Sequence, residues 1–479
     1  MVAFIALGAL LAASVFDDGQ VFACSEDPKV GCGGVLPVRR DARGALLTGG
    51  EDAFAARVAS LRAAKRSIRI QALIFRGDEA GLLVAGLLKE KKKAGLDVRV
   101  IVDAASNLDW QTQWMYFDLK QHGVEVEGYE ALYLEWVTAD LKPTDPLRPN
   151  KRFHDKLWVV DGEDEGGLAI VGGRNIANEY FRIAEGPVDR WRDQDIALRG
   201  PIVADVVAAF ERNFDYFKGL KARLPRGYNP DNAWRLTGKT LGQVAKVKVP
   251  AWTRKELRAA AEAAASRKVE LAFSTFTARF IQNRPRFKES FIPQAYLEEI
   301  DRAAASIFLA NAYFVPSRSL LEALRRAVRR GVRVVVLTNS PETNDIAEIA
   351  AVSRYLYQEL LAVNQEARDG GARGSVEIRE WRGAADQEGT LHAKYAVFDG
   401  REAIIGSHNL DPRSERLNSE TVLALRDPAV AGRLEKTFLE EDLPKSVPVT
   451  WEQARQYRKP KEMEAKFQLL YSLALRDWL

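Results

Sequence analysis

The apolar positions of this chain fall into one pattern that occurs twice. Residues 57–105 read RVASLRAAKRSIRIQALIFRGDEAGLLVAGLLKEKKKAGLDVRVIVDAA, and residues 297–341 read LEEIDRAAASIFLANAYFVPSRSLLEALRRAVRRGVRVVVLTNSP. Each opens on apolar residues at three- and four-residue spacing, the mark of an amphipathic helix. Ser-Ile and a strand-length apolar run follow, then a short loop, a second helical pattern, a glycine and a β-branched run. Gly95 and Gly331 stand where a helix needs its left-handed C-terminal residue. VRVIVDA and VRVVVLT run on as continuous apolar stretches, as expected of strands buried on both faces. Strand–helix–strand units of this length predict parallel pairing with right-handed crossovers.

The second half of each copy also matches. RFHDKLWVVDG at 152–162 parallels TLHAKYAVFDG at 390–400, and IVGGRN at 170–175 parallels IIGSHN at 404–409. The expected fold class is therefore α/β, with two similar α-β-α lobes at 45–215 and 290–445 related by a pseudo-two-fold axis. Residues 216–289 read as a linker or helical insertion, richer in Pro, Gly and Lys at first and then TRKELRAAAEAAASRKVE. The tail at 446–479 ends in FQLLYSLALRDWL, which can form an amphipathic helix that packs on a lobe or lies in a membrane interface. Residues 1–44 hold MVAFIALGALLAASVF, an apolar run of signal-peptide length without a basic start. It reads as a degenerate export signal or membrane-associated leader. No other segment reaches the roughly 18 uncharged apolar residues of a membrane span, so the body is not polytopic.

Composition adds little to this picture. The 479 residues are 47% apolar and 28% charged, ordinary for a globular protein, and the net charge is +4. That charge does not signal a nucleic-acid binder. KEKKK at 89–93, KGLKAR at 218–223 and RRAVRR at 325–330 read as solvated helix faces before phosphate-binding surfaces. Cys24 and Cys32 are the only cysteines, so a single loop disulfide is available to an exported chain and no cysteine nucleophile operates elsewhere.

The chemistry sits in the repeat. There are four histidines, His122, His154, His392 and His408, and two of them occupy equivalent places. His154 with Lys156, and His392 with Lys394, share a face of an extended segment because side chains alternate. If the lobes pack about a two-fold axis, two imidazoles and two ammoniums converge on one cavity. Charged lysines are poor metal ligands, so no metal site is expected. Two ammoniums with the Asn175 and Asn409 amides suit a phosphate ester. One imidazole can attack phosphorus while the other protonates the leaving oxygen. Neither step calls for a cofactor. Each imidazole needs a partner on its other nitrogen. Glu420 is the candidate for His392; Asp193, with Asp195 as alternative, is the candidate for His154. Asp161 and Asp399 complete the repeated motif, each before a glycine. They are expected to hold a tight turn and an ion pair at the strand end.

The His-x-Lys-x4-Asp pair with Gly-Ser-x-Asn resembles the phospholipase D superfamily over most of residues 50–440. The second copy fits its longer form, with six residues between Asp399 and Gly406. In the first copy ten residues, GEDEGGLAIV, separate Asp161 from Gly172, and Gly173 replaces the serine. A lengthened hairpin, and one hydroxyl fewer in a phosphate pocket that elsewhere includes Ser407, are expected. GSHNLDPRSERLNSE and the WRD of 191–193 are similar to the bacterial cardiolipin synthase branch. That likeness implies phosphatidyl transfer through a phosphatidyl-histidine to a hydroxyl acceptor. It also implies His154 as nucleophile, His392 as acid/base, and a substrate of the phosphatidylglycerol or phosphatidylethanolamine class. A membrane surface is the expected partner, the two-lobed monomer the expected assembly, and the bacterial cell envelope the expected location, exported or peripheral to the membrane. IQALIFRGDEAG at 70–81 lacks the aromatic pair usual in the family, so the pocket wall differs. WQTQWMYF at 110–117 and YLEW at 133–136 read as core or as lipid contacts. A hydrolytic phospholipase D and a superfamily nuclease would share this machinery; the near-neutral charge disfavours the nuclease, and two intact His-x-Lys pairs disfavour a binding-only protein.

Overall fold

The computed structural model describes residues 38–103, 106–107, 109–128, 151–186, 189–222, 254–384 and 388–457. The leader with Cys24 and Cys32, YLEW, residues 223–253 of the expected linker and the apolar tail lie outside the described residues.

Strands at Arg39–Leu47 (β1), Ser67–Ala72 (β2), Asp97–Val102 (β3), Glu125–Glu127 (β4), Leu157–Val160 (β5), Leu168–Gly172 (β6) and Asp195–Arg199 (β7) belong to the first repeat. Ser274–Asn283 (β8), Ser306–Asn311 (β9), Arg333–Asn339 (β10), Ser375–Trp381 (β11), Lys394–Phe398 (β12), Glu402–Gly406 (β13) and Glu420–Arg426 (β14) form the second, with Ser446–Pro448 (β15) at its edge. Among the described residues all join one sheet, β4-β3-β2-β5-β6-β7-β1 meeting β8-β14-β13-β12-β9-β10-β11-β15. Outward from the β1–β8 seam, the halves match strand for strand. Between the named strands, β2–β3–β4 and β9–β10–β11 pair parallel and the other neighbours antiparallel.

Each half therefore starts earlier than the helix pattern suggests. β1 begins at Arg39, ahead of residue 45, and β8 lies inside the stretch read as linker. Both are seam strands whose partners come from two directions: β1 pairs with β7 and β8, and β8 pairs with β14 and β1.

Helices cover both sheet faces. Gly50–Ala63 (α1), Glu79–Lys93 (α2), Trp110–Gln121 (α3) and Lys255–Ala265 (α5) close the outer face of the first half. Phe291–Arg302 (α6), Arg318–Arg329 (α7), Ala347–Leu361 (α8) and Val363–Asp369 (α9) do so for the second. On the opposite face, Ile202–Ala222 (α4) and, beyond the short Pro412–Arg416 (α10), Pro428–Lys436 (α11) share one continuous core, with Phe210, Phe214 and Phe217 joined through the sheet to Val430 and Leu434. Burying such side chains contributes about 1.5–3 kcal/mol each. Both glycine stops form as expected. Gly95 and Gly331 have φ of 93° and 103°, and Leu96 and Val332 donate back to Lys91 and Ala327 across the helix end. The basic runs are ion-paired helix surface: Arg325 and Arg329 reach Glu366, Arg326 and Arg330 reach Asp301, and Lys89 reaches Asp118.

Asp161 and Asp399 do hold turns, but not through the expected ion pairs. Asp161 accepts from the backbone N–H groups of Lys65, Arg66 and Ser67 at 2.7–3.1 Å. Asp399 accepts from those of Ala304, Ala305 and Ser306 at 2.8–2.9 Å. Each carboxylate thus anchors the start of the neighbouring central strand, β2 or β9, at the end of the sheet away from the histidines. Both residues are left-handed, with φ of 50° and 52°. Burial opposes ionisation of Asp399, but the three N–H donors outweigh it and hold its pKa below the usual value. The lengthened hairpin is present: Asp161 to Gly167 joins β5 to β6, where Asp399 to Arg401 joins β12 to β13. Its Glu163 reaches Arg69 at 2.8 Å.

Asp399→Ala leaves three donors without their acceptor and is expected to destabilise the fold by about 2–3 kcal/mol in chemical denaturation at pH 7. Because the folded-state pKa is depressed, the wild-type advantage is present above the unfolded pKa and disappears on acidification. A stability difference that survives unchanged at pH 3 contradicts this assignment.

Candidate active site

His154 and His392 stand just ahead of β5 and β12, where the sheet halves abut. The lead-in segments do not pair within their own half. The His154 N–H donates to the Ser419 carbonyl at 2.8 Å, and the Ser419 N–H returns a bond to Arg152 at 2.7 Å. In the mirrored place the His392 N–H donates to the Arg192 carbonyl at 2.7 Å, and the Arg192 N–H to Thr390 at 2.8 Å. Arg192 is anchored from the other half, its guanidinium meeting Asp442 at 2.7 Å.

These crossed bridges decide which carboxylate serves which imidazole. His154 Nδ1 lies 2.8 Å from both oxygens of Glu420, and His392 Nδ1 lies 2.7 Å from Asp193 Oδ2. The pairing is the reverse of the expected one. Proximity along the chain favoured Glu420 for His392 and Asp193 for His154, but each motif strand runs beside the opposite half. Asp195, the alternative for His154, instead pairs with Arg57 at 2.8 Å and Arg174 at 3.1 Å. With a carboxylate on Nδ1, each ring carries its proton there and leaves the Nε2 lone pair for chemistry.

The two carboxylates are held differently. Glu420 accepts from Ser407 Oγ at 2.5 Å, Ser414 Oγ at 2.8 Å and Asn418 Nδ2 at 3.4 Å. The Ser407 hydroxyl therefore lies on the orienting acid, not in a phosphate pocket, because its buried side chain faces Glu420 across β13 and β14. Asp193 accepts the Gln194 backbone N–H at 2.7 Å. A Cβ on Gly173 would come within 2.1 Å of Asp193 Oδ1. The glycine is thus room for a carboxylate one methylene shorter than Glu420, rather than a lost phosphate ligand.

Lys156 and Lys394 are buried, and each Nζ donates to the carbonyl of its own motif histidine. Asn175 Oδ1 accepts from the Ile74 N–H at 3.1 Å and its Nδ2 donates to Tyr180 Oη at 2.9 Å. The Asn409 amide is buried, with Oδ1 unpaired among the described residues. Tyr180 and Trp191 pack on His392, with ring centroids 5.1 and 5.4 Å away. Sequence reasoning missed Ser414, Asn418 and Tyr180; the first two sit in the quoted GSHNLDPRSERLNSE, where no core pattern explains their burial.

Electrostatics shows the couples meeting. Burial pushes Lys156 down to about 7 against the pull of Glu420, and the nearby Lys394 lowers it further. Burial brings Lys394 to about 8 against Asp193. Burial, then Lys394 and Lys156, hold His392 well below its ordinary value, while burial outweighs Glu420 to lower His154. Glu420 is held below its ordinary value: burial opposes ionisation, and the His154 ring and its hydrogen bond overcome it. The cations crowd a buried site, as they would around an anion. Two imidazole nucleophile/acid positions between two ammoniums can displace an alcohol from a phosphodiester.

Residues 58–216 and 296–442 match the family described as cardiolipin synthase, PLD-like domain. The chain is 27% identical over 435 residues to cardiolipin synthase C of Escherichia coli (strain K12), covering 87% of this chain and 86% of that one. It is 28% identical over 424 residues to a cardiolipin synthase of Geobacillus thermodenitrificans (strain NG80-2), covering 88% and 70%. In fold it resembles the crystal structure of phosphatidylserine synthase from Haemophilus influenzae Rd KW20, with a TM-score of 0.62 at 18% identity, covering 91% of this chain and 95% of that one.

Both lysines bind fewer protons folded than unfolded at neutral pH, so their charge opposes folding there and an anion between them relieves the strain. Saturating inorganic phosphate should raise the melting temperature more at pH 6, where both lysines are charged, than at pH 9. An equal shift at the two values contradicts the site. Gly173→Ser should displace Asp193 and lower turnover of bis(p-nitrophenyl) phosphate at least about tenfold, because His392 loses its orienting acid. Wild-type turnover in that variant would overturn the crowding explanation.

Proposed function

This chain belongs to the cardiolipin synthase, PLD-like domain family, and from that membership we propose that it is a phosphatidyltransferase of cardiolipin synthase type. The observation that carries the chemistry is the crossed arrangement, in which each imidazole is oriented by a carboxylate from the opposite half. Neither half can complete a site alone, and the assembled seam holds the two bases that a double displacement requires.

In the proposed reaction Lys156, Lys394 and the Asn175 and Asn409 amides receive the phosphodiester oxygens. His154 Nε2 attacks phosphorus and forms the P–N bond as the P–O bond to the headgroup alcohol breaks. His392, which takes up a second proton at Nε2 in the substrate complex, donates it to that leaving oxygen and returns to the neutral ring. Its low intrinsic basicity is offset by the anionic substrate, which sets a negative charge beside it. The acceptor hydroxyl then gives its proton back to His392 and attacks phosphorus, and the P–N bond breaks. Glu420 stabilises the cationic ring on the nucleophile, and Asp193 holds the acid/base in one tautomer. The near-symmetric geometry serves with the roles exchanged, and the likeness to the family supports His154 as the nucleophile.

The substrate is a phospholipid. We assign it to the phosphatidylglycerol or phosphatidylethanolamine class, with a hydroxyl-bearing lipid or polyol as acceptor. Such a substrate resides in a bilayer, which supports a membrane surface of the bacterial envelope as the working partner. No helix among the described residues is long and apolar enough to cross a membrane.

Incubation with phosphatidylglycerol vesicles, with and without a hydroxyl acceptor, followed by lipid separation, tests the reading. Cardiolipin is the expected product. Phosphatidic acid alone would make the protein a hydrolase, and cleaved DNA with inert lipid would make it a nuclease. His154→Ala and His392→Ala are each expected to lower transfer by roughly 10³-fold or more; retention of wild-type rate by either would remove the two-histidine mechanism.

A further inference from the structure

The two histidine arms meet different neighbours at the ends of the central strands. In the second half Lys394 stands opposite Asn311 in the antiparallel register of β12 and β9. Carried two residues further, that register sets Tyr313 opposite His392, on the same face. In the first half Leu157 stands opposite Gln71, and the same extension sets Ile74 opposite His154. A phenol therefore flanks one imidazole where an aliphatic side chain flanks the other.

The phenol is held from three directions. Asn339, buried at the end of β10, donates to the Ala312 carbonyl at 3.0 Å and the Leu391 carbonyl at 2.7 Å, and accepts from the Leu391 N–H at 3.0 Å. One side chain thus ties together the residues that precede Tyr313 and His392. The Tyr313 N–H donates to Asn311 Oδ1 at 3.3 Å, and the same oxygen takes the Leu410 N–H, next to Asn409, at 3.1 Å. Beyond Asn339 the chain makes a tight turn, in which the Asn344 N–H returns to the Ser340 carbonyl at 3.0 Å. That turn brings Asp345 back over the strand end. The Tyr313 hydroxyl donates to it, 2.7 Å from Oδ1 and 2.8 Å from Oδ2.

Asp345 is exposed. It caps neither the turn nor α8, since the Ile346 N–H goes to Asn344 Oδ1 at 2.9 Å. Among the described residues its oxygens accept from Tyr313 alone, and no cation pairs with it. An ionised carboxylate offers about four lone-pair sites, and one shared phenol proton leaves most of them open. The active-site cation of this arm is close by: burial brings Lys394 to about 8, and Asp193 and then Asp345 are the foremost charges opposing that fall. Burial, then Asp345, raise the Tyr313 pKa well above its ordinary value, so the phenol keeps the proton it donates.

A carboxylate so placed cannot serve the phosphate, which it repels. It suits a neutral partner with O–H donors. His392 protonates the leaving alcohol in the proposed reaction and takes the proton of the attacking one, so both alcohols pass this arm. An ammonium headgroup would also satisfy a carboxylate, but it would share the arm with Lys394, a penalty that a hydroxyl escapes.

We propose that Asp345 and Tyr313 form the alcohol subsite of the reaction and select a polyol headgroup, the carboxylate accepting from a hydroxyl next to the reacting oxygen. The inference rests on the proposed reaction and deepens it, by placing the exchanged alcohol on the His392 arm. Ile74, the matching residue beside His154, offers no such acceptor.

The test compares phosphatidylglycerol with phosphatidylpropanol in vesicles of identical acyl chains. These headgroups differ only in the hydroxyls beyond the reacting oxygen. Headgroup release by the wild type is expected to favour phosphatidylglycerol in kcat/KM, and Asp345→Ala to lower that preference roughly tenfold or more. Tyr313→Phe, which keeps the ring, should lower it in the same direction. A structural role would slow both substrates alike and leave the ratio in place. A wild type without the preference, or an unchanged ratio in folded Asp345→Ala, overturns the proposal, as does failure of that variant to fold, which would make the carboxylate structural. A preference that falls for phosphatidylethanolamine over phosphatidylpropanol, and not for phosphatidylglycerol, overturns the polyol assignment in favour of an ammonium. A wild type inert on every lipid but active on bis(p-nitrophenyl) phosphate removes the lipid reading. The ratio of glyceryl to propyl ester formed from that diester in glycerol and propanol then judges the subsite by itself.

Discussion

The structure depends on two imidazole–carboxylate hydrogen bonds that cross the seam between its halves. His154 with Glu420 and His392 with Asp193 are buried charge-assisted contacts, and each joins residues from different repeats. Buried carboxylates are costly unless paired, and a pair with one partner removed is worse than none. The seam is therefore committed to both contacts at once. The backbone bridges Ser419–His154 and Arg192–His392 put the carboxylates within reach, and the shared core under α4 and α11 holds the bridges in place.

From that constraint the rest of the site follows. Glu420 needs Ser407, Ser414 and Asn418 because an ionised carboxylate has more lone pairs than one imidazole can satisfy. The lysines are buried beside the rings, and their mutual repulsion keeps the site poised for an anion. Asp161 and Asp399, the third residues of each motif, act at a distance. They tie the far ends of β5 and β12 to β2 and β9, and so set the height at which the histidines emerge at the near ends.

Duplication explains both the regularity and its breaks. The halves agree in strand order, in glycine stops and in the Asp turns, which are set by local hydrogen bonding. They differ where side chains meet a partner from the other half. Gly173 accompanies the shorter Asp193, and Ser407 accompanies the longer Glu420. Asp155 accepts from Gln71 where the other half has Ala393 and Ala310. The two histidine arms are thus alike in their motif residues and unlike in what packs behind them.

Much of this was legible in the amino-acid order. Periodicity of 3.6 and continuous β-branched runs marked α2, α7, β3 and β10, because those elements are stabilised by faces that their own residues define. The doubled His-x-Lys-x4-Asp motif marked the histidines and lysines that the structure gathers at the seam, since few residue types can do such chemistry. The seam strands β1 and β8 were not legible as part of the repeat, because alternation over so few residues does not reveal a partner supplied by the other half. Nor was the assignment of Glu420 to His154 and Asp193 to His392, or the place of the Ser407 hydroxyl on Glu420. Sequence records which groups exist and how far apart they are along the chain. Which of two equivalent carboxylates an imidazole touches is settled only when the halves pack, because a two-fold seam brings each strand end to the opposite repeat rather than to its own.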